Sequence, residues 1–168
     1  MAEKKYILSK EVAEKKLRRM ALQVAEQNYD EPELVLIGIK ENGSVIAGKI
    51  FKYLKEIYNG NLSLVALTIN KKKPAQVHLE PASDFNGKAI LLIDDVANSG
   101  STMLYALKPL LETYPKKIQT LALVERTHKS FPIDVDYVGL SISTTLDEHI
   151  YVEVNEDEIG GAWIEETP

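Results

Sequence analysis

The stretch "LLIDDVANSGST", residues 91–102, sets two carboxylates, Asp94 and Asp95, at the end of an apolar run and follows them with small polar residues. Adjacent like charges repel, so the pair calls for a cation or a developing positive charge to offset it. The loop that follows, Ala97, Asn98, Ser99, Gly100, Ser101 and Thr102, leads into a segment of helical period. The first N–H groups of a helix have no internal partner and carry the positive end of its dipole. Gly100 lets the backbone turn closely around a ligand, and three hydroxyls add donors. Such a loop suits a phosphate dianion. The aspartates are acceptors one loop away. They could hold a diol, approach a bound cation or stabilise positive charge on carbon. A phosphate beside a diol describes a ribose 5-phosphate.

Other chemistries also place acids after an apolar strand. The metal-side strand of a P-loop NTPase needs a G-x-x-x-x-G-K-[ST] elsewhere, and the chain has none. Haloacid-dehalogenase-type phosphatases use D-x-D, whereas these acids are adjacent. Response-regulator receivers carry adjacent acids near the start of the chain, without a hydroxyl-rich loop after them. The plainest alternative is a capped helix behind a strand with two solvated acids. The coincidence of strand, acid pair and phosphate loop weighs against it.

A strand must raise the acids, and a helix must aim its N-terminus at their ligand. Residues 89–94 read as that strand after a turn at 84–88, and residues 101–113 as that helix, which Pro109 should kink. Residues 9–28 read as a helix capped by Ser9, with Ala13, Leu17, Met20 and Val24 on one face. Residues 33–39, 62–69, 118–124, 136–142 and 149–154 read as strands. Helical period returns over 44–58, through Ile46, Ile50, Leu54 and Ile57. Residues 70–81 carry a lysine run and two prolines without a clear period, and are expected to form an exposed, mobile loop. The acidic tail is expected to fray. Strands that are apolar throughout, alternating with helices, predict an open, mostly parallel α/β sheet with helices on both faces. Ligands in such folds sit beyond the C-terminal ends of the strands, where Asp94 and Asp95 fall.

Composition narrows the class. The 168 residues suit a single domain, 1–168, around one real core. No apolar run approaches the roughly 20 residues that cross a bilayer. The opening "MAEKKYILSK" has no following apolar segment, so it does not read as a signal peptide. The absence of cysteine removes disulfides, thiolate nucleophiles and thiolate metal sites, and fits a cytoplasmic protein. A net charge of −5 gives no bulk support to nucleic-acid binding. His78, His128 and His149 are too scattered for a metal site, and His128 reads as an exposed loop residue.

"LLIDDVANSGST" resembles the phosphoribosyl-diphosphate (PRPP) motif of type I phosphoribosyltransferases, with Ser99 where threonine is usual. "ILSKEVAEKKLRRMALQVAEQN", "LVLIGI", "FNGKAILLIDDV" and "LALVERTHKSFPIDVDYVG" are similar, in that order, to the bifunctional pyrimidine-operon regulators and uracil phosphoribosyltransferases. The resemblance implies the type I phosphoribosyltransferase fold with a small base-binding hood. It also implies a reaction in which a nucleobase nitrogen displaces pyrophosphate from C1 of PRPP, through a transition state of oxocarbenium character. Residues 97–102 would then grip the 5-phosphate. Asp94 and Asp95 would act as catalytic residues, holding the ribose hydroxyls directly or through Mg²⁺. The Mg²⁺ would be bound chiefly by PRPP oxygens and water, with Asp94 and Asp95 its possible protein ligands. Lys40 and the backbone of Glu41, Asn42 and Gly43 would meet the pyrophosphate. Lys71, Lys72 and Lys73 would lie in a closing lid. Arg126, Tyr137 and Val138 would build the base pocket, Tyr137 by stacking and Val138 through its backbone. The family generally carries two arginines in its pyrophosphate loop, and this chain has one lysine and a glutamate. A lysine grips phosphate as a point charge rather than bidentately.

The resemblance leaves several functions open. Uracil is favoured as the base, with hypoxanthine or guanine as the alternative. A regulator of pyrimidine genes would bind RNA through the basic stretch of Lys10, Lys15, Lys16, Arg18 and Arg19, although Glu11 and Glu14 interleave with it. A nucleotide binder without turnover is the third. The partners implied are PRPP, a nucleobase and a second or further copy of the chain, with no membrane.

Overall fold

The computed structural model describes residues 3–70, 72–73, 76–81 and 84–167. Nine strands and three helices are seen among them. A six-stranded sheet is built from β2 (Glu33–Ile39), β3 (Asn61–Ile69), β4 (Val77–Glu80), β5 (Ala89–Ala97), β6 (Lys117–Arg126) and β7 (Tyr137–Ile142). Its order is β4-β3-β2-β5-β6-β7, and every pairing is parallel except β3 with β4. A second, antiparallel sheet has the order β1-β9-β8, from β1 (Lys5–Ser9), β8 (Glu148–Asn155) and β9 (Glu158–Glu166).

The expected helices on both faces are present. Alternate residues of a strand point to opposite sides, and here each side finds a helical partner. Leu34 and Leu36 of β2, with Leu91 and Ile93 of β5, pack against α1 (Lys10–Gln27) and α2 (Asn42–Ile57). Ile37 and Ile39, with Ile90 and Leu92, pack against Met103, Ala106 and Leu110 of α3 (Ser101–Leu111). The small sheet shares the first core through Leu8, Ile150, Ile159 and Ile164.

Ser9 caps α1 by accepting the Val12 N–H at 3.2 Å, and the buried face is the expected one with Ala21 added. Pro109 stands in the last turn of α3, where it leaves the Tyr105 carbonyl without its i+4 donor, and the helix ends two residues later. Ile57, expected on the buried face of α2, is 40% exposed at the helix end.

Three strands depart from expectation. β4 lies inside the segment read as loop, and closes a hairpin on β3 with Thr68 opposite His78. β1 was hidden ahead of the helix cap. The tail does not fray: β9 is the central strand of the small sheet, paired on both edges. Its apolar residues alternate too irregularly to announce a strand until two partners cover it.

Candidate functional site

The strand order reverses between β2 and β5. From β2 the chain crosses through α2 to β3 on one side; from β5 it crosses through α3 to β6 on the other. A crevice must open beyond the C-terminal ends of such a pair. A cleft of about 730 Å³ lies there, within the range that holds a small-molecule ligand. The ends of β2 and β3, the acid pair, the start of α3 and one edge of the small sheet line it.

The acids belong to β5 itself. Asp94 is opposite Ala122 in the ladder to β6, so the strand continues past the expected end to Ala97. Asp94 is 8% exposed and Asp95 half-buried, and both line the cleft. Each is steadied by the next backbone N–H: Asp95 N–H donates to Asp94 Oδ1 at 2.9 Å, and Val96 N–H to Asp95 Oδ1 at 2.8 Å. Asp95 Oδ2 also accepts from the Asn42 side chain at 3.0 Å.

Gly100 has a φ of +84° and is the N-cap residue of α3, so the loop turns there as its glycine suggested. Ser101 N–H donates to Ser99 Oγ at 3.2 Å, and the Ser99 carbonyl accepts the N–H groups of Ser130 and Phe131. The loop is thereby braced from outside before any ligand arrives. Asn98, Ser101 and Thr102 line the cleft. Ala97 does not; it is 3% exposed and packs in the core around α3. Asn98 Oδ1 is buried with no hydrogen-bond partner among the described residues. A lone acceptor there suits a donor such as a sugar hydroxyl.

Lys40, Glu41 and Asn42 line the opposite wall, and the Lys40–Glu41 peptide bond is cis. Lys40 Nζ stands 4.0 Å from Glu80 of β4. Gly43 is buried so tightly on β5 that a Cβ there would meet Ile93 O at 2.8 Å. Asn42 bridges the walls: besides Asp95, its Nδ2 donates to the Val152 carbonyl of β8 at 3.3 Å. Of the lid residues, Lys72 and Lys73 are exposed, their N–H groups turned onto Asn70 Oδ1, and neither lines the cleft. Lys71 lies outside the described residues. Thr68, Ile69 and Asn70 line the cleft at that end.

The expected base pocket is corrected. Tyr137 is 2% exposed, and its hydroxyl donates to Gln119 Oε1 at 2.8 Å and Gln27 Oε1 at 3.1 Å, tying β7 to α1. Burial pushes that hydroxyl up to about 12, against the pull of the Asn28 amide. A ring held inside the core cannot stack on a ligand in the cleft. The Val138 carbonyl is taken by Arg19 of α1 at 3.1 Å, and the Arg126 guanidinium by the Thr145 carbonyl. None of the three lines the cleft. Ile150, Tyr151 and Val152 of β8 do instead. Among the described residues β8 pairs with no strand but β9, so no strand covers its other edge, while Ile150 and Val152 turn their side chains into the core. The sequence marked this strand, but an open edge is a property of sheet order and leaves no trace in residue type. His128 is exposed, as expected. No cluster of three acids or histidines able to hold a metal occurs among the described residues, and no helix there is long and apolar enough to cross a membrane.

The phosphoribosyl transferase domain model matches residues 5–158. The chain is 34% identical over 158 residues to the bifunctional protein PyrR of Haemophilus ducreyi, covering 88% of each chain. It is 36% identical over 160 residues to that of Latilactobacillus sakei, covering 88% of this chain and 89% of the relative. Among solved structures it is similar to the hypoxanthine phosphoribosyltransferase of Trypanosoma cruzi, with a TM-score of 0.80 at 16% identity, over 99% of this chain and 98% of the other. A hypoxanthine-guanine phosphoribosyltransferase of Bacillus anthracis gives a TM-score of 0.74 at 18% identity, over 100% and 99%. At such identities these two structures speak to the fold.

Proposed function

The chain belongs to the phosphoribosyltransferase family, alongside the bifunctional PyrR proteins, and from that premise we propose that it joins uracil to PRPP in the cleft between β2 and β5, releasing pyrophosphate. One observation carries the assignment of the site: the hydroxyl loop, the acid pair and an open strand edge line a single cleft at the point where strand order reverses.

Each wall has a task. The N–H groups and hydroxyls at the start of α3, with Ser101 and Thr102 foremost, hold the 5-phosphate. Asp94 and Asp95 hold the ribose hydroxyls and lie close to the ring carbon as it loses pyrophosphate, stabilising its positive charge. Lys40 and the backbone of residues 41–43 receive the pyrophosphate. The planar base lies along β8, where backbone groups of the edge that no described strand covers read its donors and acceptors. Most of the rate comes from holding base and sugar in line.

Mg²⁺ fits the residues present. Two adjacent carboxylates, with no cluster of three candidate ligands among the described residues, would suit an ion held mostly by diphosphate oxygens and water. Asp94 and Asp95 are the side chains that would hold it, and when bound it neutralises the leaving diphosphate.

The basic stretch of α1 is partly committed within the fold. Arg19 is committed to the carbonyls of Val138 and Gly139, Lys15 pairs with Glu11 at 3.2 Å, and Lys10 with Glu158 at 3.8 Å.

The test is nucleotide formation from PRPP and Mg²⁺ with uracil, hypoxanthine, guanine, xanthine and adenine. UMP is expected to dominate; a purine nucleotide in its place overturns the choice of base. Asp94→Asn combined with Asp95→Asn should cut turnover by at least about a hundredfold. Turnover that survives the double change refutes the role given to the acids.

A further inference from the structure

The outer face of the small sheet carries a row of aromatic rings that the reaction as described does not use. Tyr6 of β1 stands opposite Trp163 of β9, and Trp163 stands opposite Tyr151 of β8. Directly opposite residues share a face, so the three side chains line up across the three strands. The rings touch: Tyr6 and Trp163 have centroids 6.0 Å apart at 49°, and Tyr151 and Trp163 lie 5.6 Å apart at 20°, a stacked pair. Trp163 is also held at its own edge and face. Its indole N–H donates to Glu165 Oε2 at 3.1 Å, and Lys4 Nζ sits 4.1 Å from the ring centroid. The row ends on β8 at Tyr151, a residue of the strand segment that lines the cleft.

From this geometry we propose that Trp163 is a positioning residue for the base. It fixes the ring of Tyr151 at the rim of the cleft, and that ring keeps the base flat against the open edge of β8. The inference rests on the base lying along β8. Tyr151 is 42% exposed, and a tyrosine on an open edge strand would otherwise be free to swing about χ1 into water. Stacking on a tryptophan pinned by a carboxylate, an ammonium group and a second tyrosine removes that freedom before the base arrives. The ordering cost is thus met in folding rather than in binding. Sequence spacing does not reveal the row, since its members lie on three strands from the two ends of the chain.

The test uses the whole enzyme, with uracil as base and UMP as product ligand, or guanine and GMP should the base panel select the purine. Trp163→Ala should raise KM for the base by about tenfold, the scale of one lost aromatic pair, leaving kcat and KM for PRPP within about twofold. Trp163→Phe, which keeps a ring for Tyr151, should restore base KM to within about threefold. Trp163 is the chain's single tryptophan, so UMP should change its emission saturably in the wild-type enzyme, and Tyr151→Leu should abolish that change. An unchanged base KM in a cooperatively melting Trp163→Ala enzyme overturns the proposal, as does an emission blind to UMP. If Trp163→Ala does not fold, Trp163→Phe kinetics and the wild-type emission decide alone. Tyr151→Ala separates the two levels. If it raises base KM while Trp163→Ala does not, only the positioning role fails. If it too leaves base KM unchanged, the placement of the base on β8 fails with it.

Discussion

Replacing Gly43 by alanine tests how the two walls of the cleft are held together. Gly43 is the second residue of α2, and Lys40 and Glu41 lead into that helix ahead of Asn42. A Cβ there would meet Ile93 O at 2.8 Å, Asp94 Cα at 3.0 Å and Asp94 Oδ1 at 3.1 Å, where ordinary contacts begin at 3.4 Å. Two of these atoms are backbone of the central strand β5, which cannot yield without disturbing both of its ladders. The helix start must therefore retreat by about half an ångström, carrying Lys40, Glu41 and Asn42 away from the acids. Overpacking of this kind costs about 1–3 kcal/mol, and at this chain length Tm should fall by about 2–12 °C. A displacement of that size in a site that works by alignment should also lower kcat/KM for PRPP by about tenfold or more. Gly48, five residues along the same helix, is the control. Nothing lies within 4 Å of its Cβ position, so Gly48→Ala gains helix propensity of about 0.5–1 kcal/mol and should raise Tm. Thermal melts and PRPP kinetics on the two variants are the assay. A Gly43→Ala enzyme that melts and turns over like wild type refutes the close packing of α2 on β5 as the source of the cleft's geometry.

Asn42 joins the acid pair to β8, the wall proposed for the base, so Asn42→Ala should lower kcat/KM by about 10- to 100-fold through loss of a hydrogen bond to a charged acceptor. Asn42→Asp places a carboxylate where an amide now donates to Asp95 at 3.0 Å. Like charges raise one carboxyl pKa, and the acid limb of the pH–rate profile should move upward. Identical profiles for the two variants would remove Asn42 from the site. Tyr137 makes stability sensitive to alkali. Its hydroxyl ionises near 12 in the fold against 10.0 unfolded, so its neutral form stabilises the protein below pH 10, and that contribution is lost as pH rises from about 10 through 12, by about 3 kcal/mol in full. Urea melts of wild type and Tyr137→Phe at about pH 9 and about pH 11 should show the mutant losing less across the window, and equal losses would assign the alkaline transition elsewhere.

The sequence by itself determined the chemistry at one end of the site. Asp94, Asp95, Gly100 and the hydroxyls after it are contiguous, and their meaning depends only on a strand running into a helix, which period and composition reveal. The same local logic yielded the Ser9 cap, the buried face of α1 and the parallel sheet with helices on both faces. The β8 edge proposed for the base, and the small sheet that carries it, were decided by tertiary structure. The open edge of β8 exists because β9 takes its other side and β1 closes the far edge of β9, a pairing between the first and last strands of the chain. Tyr137 looked like a stacking ring, but its place on β7 faces α1, and burial made it a core residue. Hydrogen bonds at a strand edge belong to the backbone, which is the same at every residue, so the surface suited to reading the base is the part of the site that residue identity encodes least.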